Sequence, residues 1–345
     1  MVGKFYNAIK SMYSNPKSRV ILNEFETEYF ECPIGVKQGD CLSPTLFAIF
    51  INDLAEEIKL SKIGLDLDED TFVNILLYAD DIVLVAKCEE DLQFLLFMVE
   101  TWCKKWRLEV NLTKTNIMHI RGKRKSQSMF MFIFDKNPVP YCTSYKYLGC
   151  SINEFLEYDF TVNQLADSAG RALGSVITKM IKNGGFPFNV FNTLYQACVC
   201  SIMDYGGEVM GYDSFKSTLK IHLRAARSFL GVTKTTPKPG IISEMNLLLP
   251  QYRTQIRMVR QFHRISKMSN DRLTRKVFNW DKKISDGNQS TWYSEVKDIF
   301  LSNKMEAAFE SSNIFDLKST VEKLQKSMLS AQQFLSKTNV RHCLN

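Results

Sequence analysis

Asp80 and Asp81 stand side by side in Tyr78-Ala79-Asp80-Asp81, between the apolar runs 75–77 and 82–86. Each run is short and rich in Ile, Val and Leu, the composition of a buried strand, so the four residues between them form the tip of a hairpin. Two adjacent carboxylates repel one another and resist desolvation unless a cation lies nearby. Carried on a rigid hairpin, they have the chemistry of a divalent-metal site for phosphoryl transfer. An ordinary acidic turn is the competing reading, because Asp is common in turns.

The elements around this tip are legible from punctuation and periodicity. A helix is expected from Phe5 to Ser14, ended by Asn15-Pro16, followed by a strand pair turning at Asn23-Glu24. Gly35-Val36-Lys37-Gln38-Gly39-Asp40-Cys41-Leu42-Ser43-Pro44 is a glycine-bearing loop opening a helix, with Ser43 placed to cap and Pro44 at the first helical position. Such a loop can approach phosphate or a base, and it is also a common way to start a helix. An acidic loop with Asp66, Asp68 and Asp70 precedes the hairpin, and a long helix from Glu89 to Leu108 follows it. Lys114 then leads into a strand over 117–120. By itself Lys114 reads as a surface lysine. The run 121–125 is basic, suited to phosphate or simply solvated. Further strands are expected over 129–134 and in a hairpin pivoting on Gly149.

Beyond Asp159 the pattern changes from strand to helix, with helices over 162–181, 190–203, 219–230, 252–268 and 313–335, and with Trp280 and Trp292 as local anchors. Arg253, Arg257, Arg260, Arg264 and Lys267 recur at intervals of three and four, so they share one helical face opposite Ile256, Val259 and Phe262. That face suits a nucleic-acid backbone or a solvated surface. The expected fold is α+β: an antiparallel sheet with packed helices, then an all-helical region.

Composition bounds the rest. The 345 residues are 45% hydrophobic and carry a net charge of +7, enough for one large or two to three ordinary domains and compatible with a polyanionic partner. Nine scattered cysteines and four histidines offer no zinc-ligand spacing and read as reduced thiols. No apolar run is long enough for a membrane span, and the first ten residues lack a signal-peptide core. An intracellular protein of the nucleus or cytoplasm, not secreted, is expected.

The order of these pieces resembles the palm of a reverse transcriptase, most closely those of non-LTR (LINE-type) retrotransposons. The resemblance rests on the loop 35–44, its helix, Tyr78-Ala79-Asp80-Asp81 between strands, the segment from Trp106 to Thr115, and Tyr147-Leu148-Gly149. It extends more loosely to Leu223-Arg224-Ala225-Ala226-Arg227-Ser228-Phe229-Leu230-Gly231. It implies a partial palm over 1–158, a helical thumb-like region over 159–268 and a helical C-terminal region over 269–345. By the same resemblance Asp80 matches the metal-binding aspartate and Asp81 its acidic neighbour. Gln38 and Gly39 match the loop against nucleotide and template, Lys114 the lysine near the leaving pyrophosphate, and Tyr147, Leu148 and Gly149 the hairpin at the primer end. The implied activity is RNA-directed DNA synthesis with Mg2+, an RNA template, a DNA primer and deoxynucleotides. Residues 1–39 contain no Asp, so the family's other metal-binding aspartate has no counterpart there. The chain is therefore expected to be N-terminally truncated and inactive alone, with a catalytically dead RNA/DNA-binding remnant as the alternative.

Overall fold

A computed structural model describes residues 3–68, 71–211, 213–287, 289–310 and 316–343. Its helices alternate with short strand pairs in the first half and, among the described residues, are the only regular elements after residue 153, the arrangement of an α+β chain. The strand pairs with a described register are all antiparallel. Among the described residues, no helix is long and apolar enough to cross a membrane. Contacts divide the chain into two units, 1–66 with 72–109, and 67–71 with 110–345. That division lies earlier than the change of periodicity at Asp159.

In the first unit, the Ser43–Leu60 and Glu89–Trp106 helices pack through Leu54, Ile58, Leu95, Val99 and Trp102. Phe50 makes edge contacts with Trp102 and Trp106. Pro44 sits in the first turn of its helix as its fixed φ predicts. Ser43, however, is not the cap: it is already helical, and its hydroxyl donates to the Lys37 carbonyl at 2.6 Å. Of the strand pair expected to turn at Asn23-Glu24, Ile21–Leu22 pairs with Phe25–Glu26 around Asn23, whose φ of 55° closes the turn.

The second unit begins with irregular chain. Ile117 makes a single bridge to Tyr141, and of the run 129–134 only Ile133–Phe134 pairs, with Asn137–Pro138. The Ser144–Tyr147 and Cys150–Asn153 strands then form a hairpin that packs on the Tyr158–Lys182 helix. One core joins Leu173, Val176, Phe191, Tyr195, Val199, Leu223, Ala226 and Ile241. A second joins Met258, Val259, Phe262, Phe278, Val296, Phe300 and Leu324. The expected helix over 190–203 contains one wider π-helical stretch, Tyr195–Cys200. It carries the fully buried Tyr195, whose hydroxyl lies 2.9 Å from His222 Nδ1. Trp280 is 37% exposed, and Phe278 takes the core position two residues before it. The last helix runs Leu317–Cys343; the expected start at Asn313 lies outside the described residues.

Candidate functional site

The Ile75–Tyr78 and Asp81–Leu84 strands pair antiparallel, Tyr78 opposite Asp81, so Ala79 and Asp80 are the whole turn. Ala79 supplies the positive φ, 51°. Asp80 and Asp81 are both exposed, and the flanking strands are only partly covered: Tyr78 is 62% exposed. Two carboxylates at an open tip keep their hydration, which removes the desolvation cost that a buried pair would carry. The hairpin is fixed at its base by Asn74, 1% exposed, whose side-chain amide donates to the Ile58 carbonyl at 2.9 Å. The Asn74 carbonyl also accepts from the Val85 amide at 2.9 Å. Sequence reasoning passed over Asn74; a lone amide inside the apolar stretch 72–77 was the available signal.

Gln38 and Gly39 lie exposed in a loop of the same unit. Gly39 has a φ of 81°, and a Cβ there would meet no atom within 4 Å, so the backbone is open to a ligand. Asp40 turns inward instead: its Oδ1 accepts from the Leu42 amide at 3.1 Å and its Oδ2 from the Tyr13 hydroxyl at 3.4 Å. Asp66 is ion-paired with Lys87. Asp70 lies outside the described residues.

The chemistry of Asp80 and Asp81 suits a hard divalent cation. Among the described residues, no group of three or more His, Cys, Asp or Glu side chains could hold an ion. Two carboxylates on one hairpin do not fit a two-ion site by themselves, since such a site must ligate both ions about 3.5–4 Å apart.

The second unit holds the other candidates. Asn111 organises the turn that carries Lys114: its Oδ1 accepts from the Thr113 amide and hydroxyl, and its carbonyl from Thr115 Oγ1 and the Lys114 amide. The Lys114 side chain is exposed. Its carbonyl accepts from the Tyr145 hydroxyl at 3.2 Å, which ties this turn to the Ser144–Asn153 hairpin. At the tip of that hairpin, Leu148 and Gly149 have φ of 47° and 86°, the two positive values of a tight two-residue turn. The left-handed region costs a leucine roughly 1–2 kcal/mol. In the basic run, Arg121 bonds Glu154 at 2.5 Å and Lys123 pairs with Glu157, while Lys123, Arg124 and Lys125 are all exposed.

The basic helix runs Pro250–Ser266. Arg260 and Arg264 on it, and Lys267 just beyond it, are exposed, and Arg257 is half-buried. Arg253 is turned out of this stripe. Its guanidinium makes a two-pronged bond to Asp204, with only 11% and 3% of the two side chains exposed. Spacing placed Arg253 on the basic face, but helical geometry cannot reveal a partner 49 residues earlier in the chain.

Residues 3–152 match the reverse transcriptase (RNA-dependent DNA polymerase) family, and the likeness is to the enzymes of non-LTR retrotransposons. The RNA-directed DNA polymerase from mobile element jockey of Drosophila melanogaster is 20% identical over 231 residues, 65% of this chain and 24% of the relative. The probable RNA-directed DNA polymerase from transposon X-element of the same fly is 19% identical over 60% of this chain and 22% of its own length. The retrovirus-related Pol polyprotein from a type-2 retrotransposable element of that species is 28% identical over 152 residues, 42% of this chain and 14% of the relative. The aligned part thus spans about a quarter or less of each of these relatives.

Proposed function

We propose that the chain is the palm-to-thumb part of an RNA-directed DNA polymerase of a non-LTR retrotransposon, a domain that engages an RNA template, a DNA primer and deoxynucleotides inside the cell. In this reading residues 1–158 are palm, 159–268 thumb-like and 269–345 a helical extension. Asp80 and Asp81 are the metal-binding carboxylates for Mg2+, and Lys114 stands near the leaving pyrophosphate. Gln38 and Gly39 face nucleotide and template, Tyr147, Leu148 and Gly149 hold the primer end, and Arg257, Arg260, Arg264 and Lys267 track the backbone. The observation that carries this reading is Asp80 exposed in the two-residue turn of an antiparallel hairpin, within the segment 3–152 that matches the family.

A second reading, a nucleic-acid-binding remnant without catalysis, is favoured by one observation: the carboxylates at the tip come from a single hairpin. Both readings require binding to a primer–template. Fluorescence anisotropy with an RNA template annealed to a DNA primer tests that shared requirement. Salt-dependent binding is expected, and no binding at low salt would remove both readings.

A further inference from the structure

The segment 204–211, Asp-Tyr-Gly-Gly-Glu-Val-Met-Gly, reads in the sequence only as glycine punctuation at Gly206-Gly207 and includes the short helix Gly207–Met210. In the structure it forms a knuckle fastened on one side and reaching out on the other. Asp204 takes both prongs of Arg253. Thr254 Oγ1 donates to the Gly211 carbonyl at 2.9 Å. Trp292 Nε1 donates to the Glu208 carbonyl at 2.9 Å. The two glycines facing Thr254 are there for closeness. A Cβ on Gly207 would come within 2.7 Å of Thr254 Cγ2, and one on Gly211 within 2.2 Å of the Gly207 carbonyl oxygen. Nothing larger lets the knuckle seat against the Pro250–Ser266 helix.

From this seat Tyr205 reaches the Ser144–Asn153 hairpin. Its hydroxyl donates to the Leu148 carbonyl at 2.7 Å. Its ring lies against Gly149, where an added Cβ would stand 3.2 Å from Tyr205 Cε1. Cys150, the next residue, packs beside Gly206, whose Cβ would fall 3.3 Å from its Sγ. The turn so held is the one in which a leucine occupies the left-handed region. A strained conformation persists where its surroundings over-determine it, and such positions gather at ligand clamps. Tyr205 provides that determination at the carbonyl of the strained residue itself.

We propose that Tyr205 is a positioning residue for the Leu148–Gly149 turn. It transmits the seat of the basic helix, through the Asp204–Arg253 pair, to the backbone that meets the primer end. This rests on the primer-end reading of that turn given above. It adds a residue to the site and a physical link between two surfaces that would contact the same primer–template: the turn and the basic helix.

The test uses the full chain and an RNA template annealed to a DNA primer carrying 2-aminopurine at its 3′ terminus. Three quantities are read: overall affinity by anisotropy, stacking of the terminal base by its fluorescence, and amide exchange of the turn peptide by mass spectrometry. Tyr205→Phe keeps the ring and removes the hydroxyl. It is expected to leave overall affinity unchanged, to accelerate exchange at the turn about fivefold, the ratio matching one ordinary net hydrogen bond, and to diminish the terminal fluorescence change. Gly149→Ala, which strains the same turn from its other side, is expected to diminish the same signal, and the double variant to lose less than the product of the two. Faster exchange with unaltered terminal fluorescence would reduce Tyr205 to a structural contact and overturn the proposal. Unaltered exchange and fluorescence with a wild-type chain that binds would overturn it while leaving the function in place. A wild-type chain with no affinity for the primer–template would defeat the functional reading itself, and the primer-end role with it.

Discussion

Asp204 grips Arg253 along one edge of the guanidinium: Nε donates to Oδ2 at 2.8 Å and Nη2 to Oδ1 at 2.9 Å. Arg253 Nη1 also donates to the Leu248 carbonyl at 2.9 Å, so the side chain has little surface left for phosphate. Removing one member strands the other as an uncompensated charge. Arg253→Ala is therefore expected to lower unfolding free energy by about 3–5 kcal/mol, measured by urea denaturation. Arg253→Lys should recover only part of this, because an ammonium cannot make the two-pronged contact. A loss below about 0.5 kcal/mol, the range of a surface change, would show that the pair does not anchor this helix.

The outward part of the same helix gives a separable expectation. Arg260→Ala, Arg264→Ala and Lys267→Ala should each leave stability nearly unchanged. If each lost side chain contacts one phosphate, the slope of log affinity against log salt should shrink by roughly 0.7–0.9. Titration of a primer–template at several salt concentrations reads this directly, and slopes equal to wild type would move the contact surface elsewhere.

These two expectations mark how far spacing carries. The hairpins were legible because Asn23-Glu24, Asp80-Asp81 and Gly149 interrupt short runs of strand composition. The longer helices were legible from apolar recurrence, to within a few residues at most ends, whereas Lys238–Met245, Leu273–Asp286 and Trp292–Ser302 were given no bounds by it. What lay hidden depends on partners distant in sequence. Asp204 draws Arg253 inward across 49 positions and Tyr205 reaches Leu148 across 57, while the Ser43 hydroxyl that would have capped a helix turns to the Lys37 carbonyl only six residues away. The runs 117–120 and 129–134 have strand composition, yet for most of their length they find no ladder partner among the described residues, and composition cannot supply one.

Burial holds the His222 imidazole neutral, pulling its pKa down to about 3, with Arg253 adding to the effect. In the unfolded chain the same ring takes up a proton near pH 6.5. The folded value lies below the unfolded one, so the unfolded state binds the extra proton between them. Stability contributed at this site is present above pH 6.5 and is lost as pH falls from there toward 3. Denaturation midpoints measured from pH 7.5 to 4.5 are expected to fall for wild type and to fall less steeply for His222→Gln. Parallel profiles would mean that His222 is not the group responsible.

Catalysis gives a further expectation. Residues 1–345 alone should extend no primer on an RNA template with Mg2+ and deoxynucleotides, because Asp80 and Asp81 approach from one hairpin only. Fusing a carboxylate-bearing palm strand from a related polymerase ahead of the chain should produce extension, and Asp80→Asn in that fusion should abolish it. Strong extension by the chain alone, lost with Asp80→Asn, would show that a carboxylate already within these residues completes the site.

The Asn74 amide has one more consequence, which is mechanical. From Asn74 to the turn at Ala79 is five residues of extended chain, a lever of about 17 Å. Rocking of about 5° at the anchored end swings the carboxylates by roughly 1.5 Å, and an error near 1 Å can cost two orders of magnitude in rate. In the proposed metal-binding role of Asp80, its aim would thus be set at the far end of its own hairpin, by a buried side chain bonded to the Ile58 carbonyl. Asn74→Leu, of similar size but unable to reach the Ile58 carbonyl by a hydrogen bond, would leave both aspartates in place and take away their bearing.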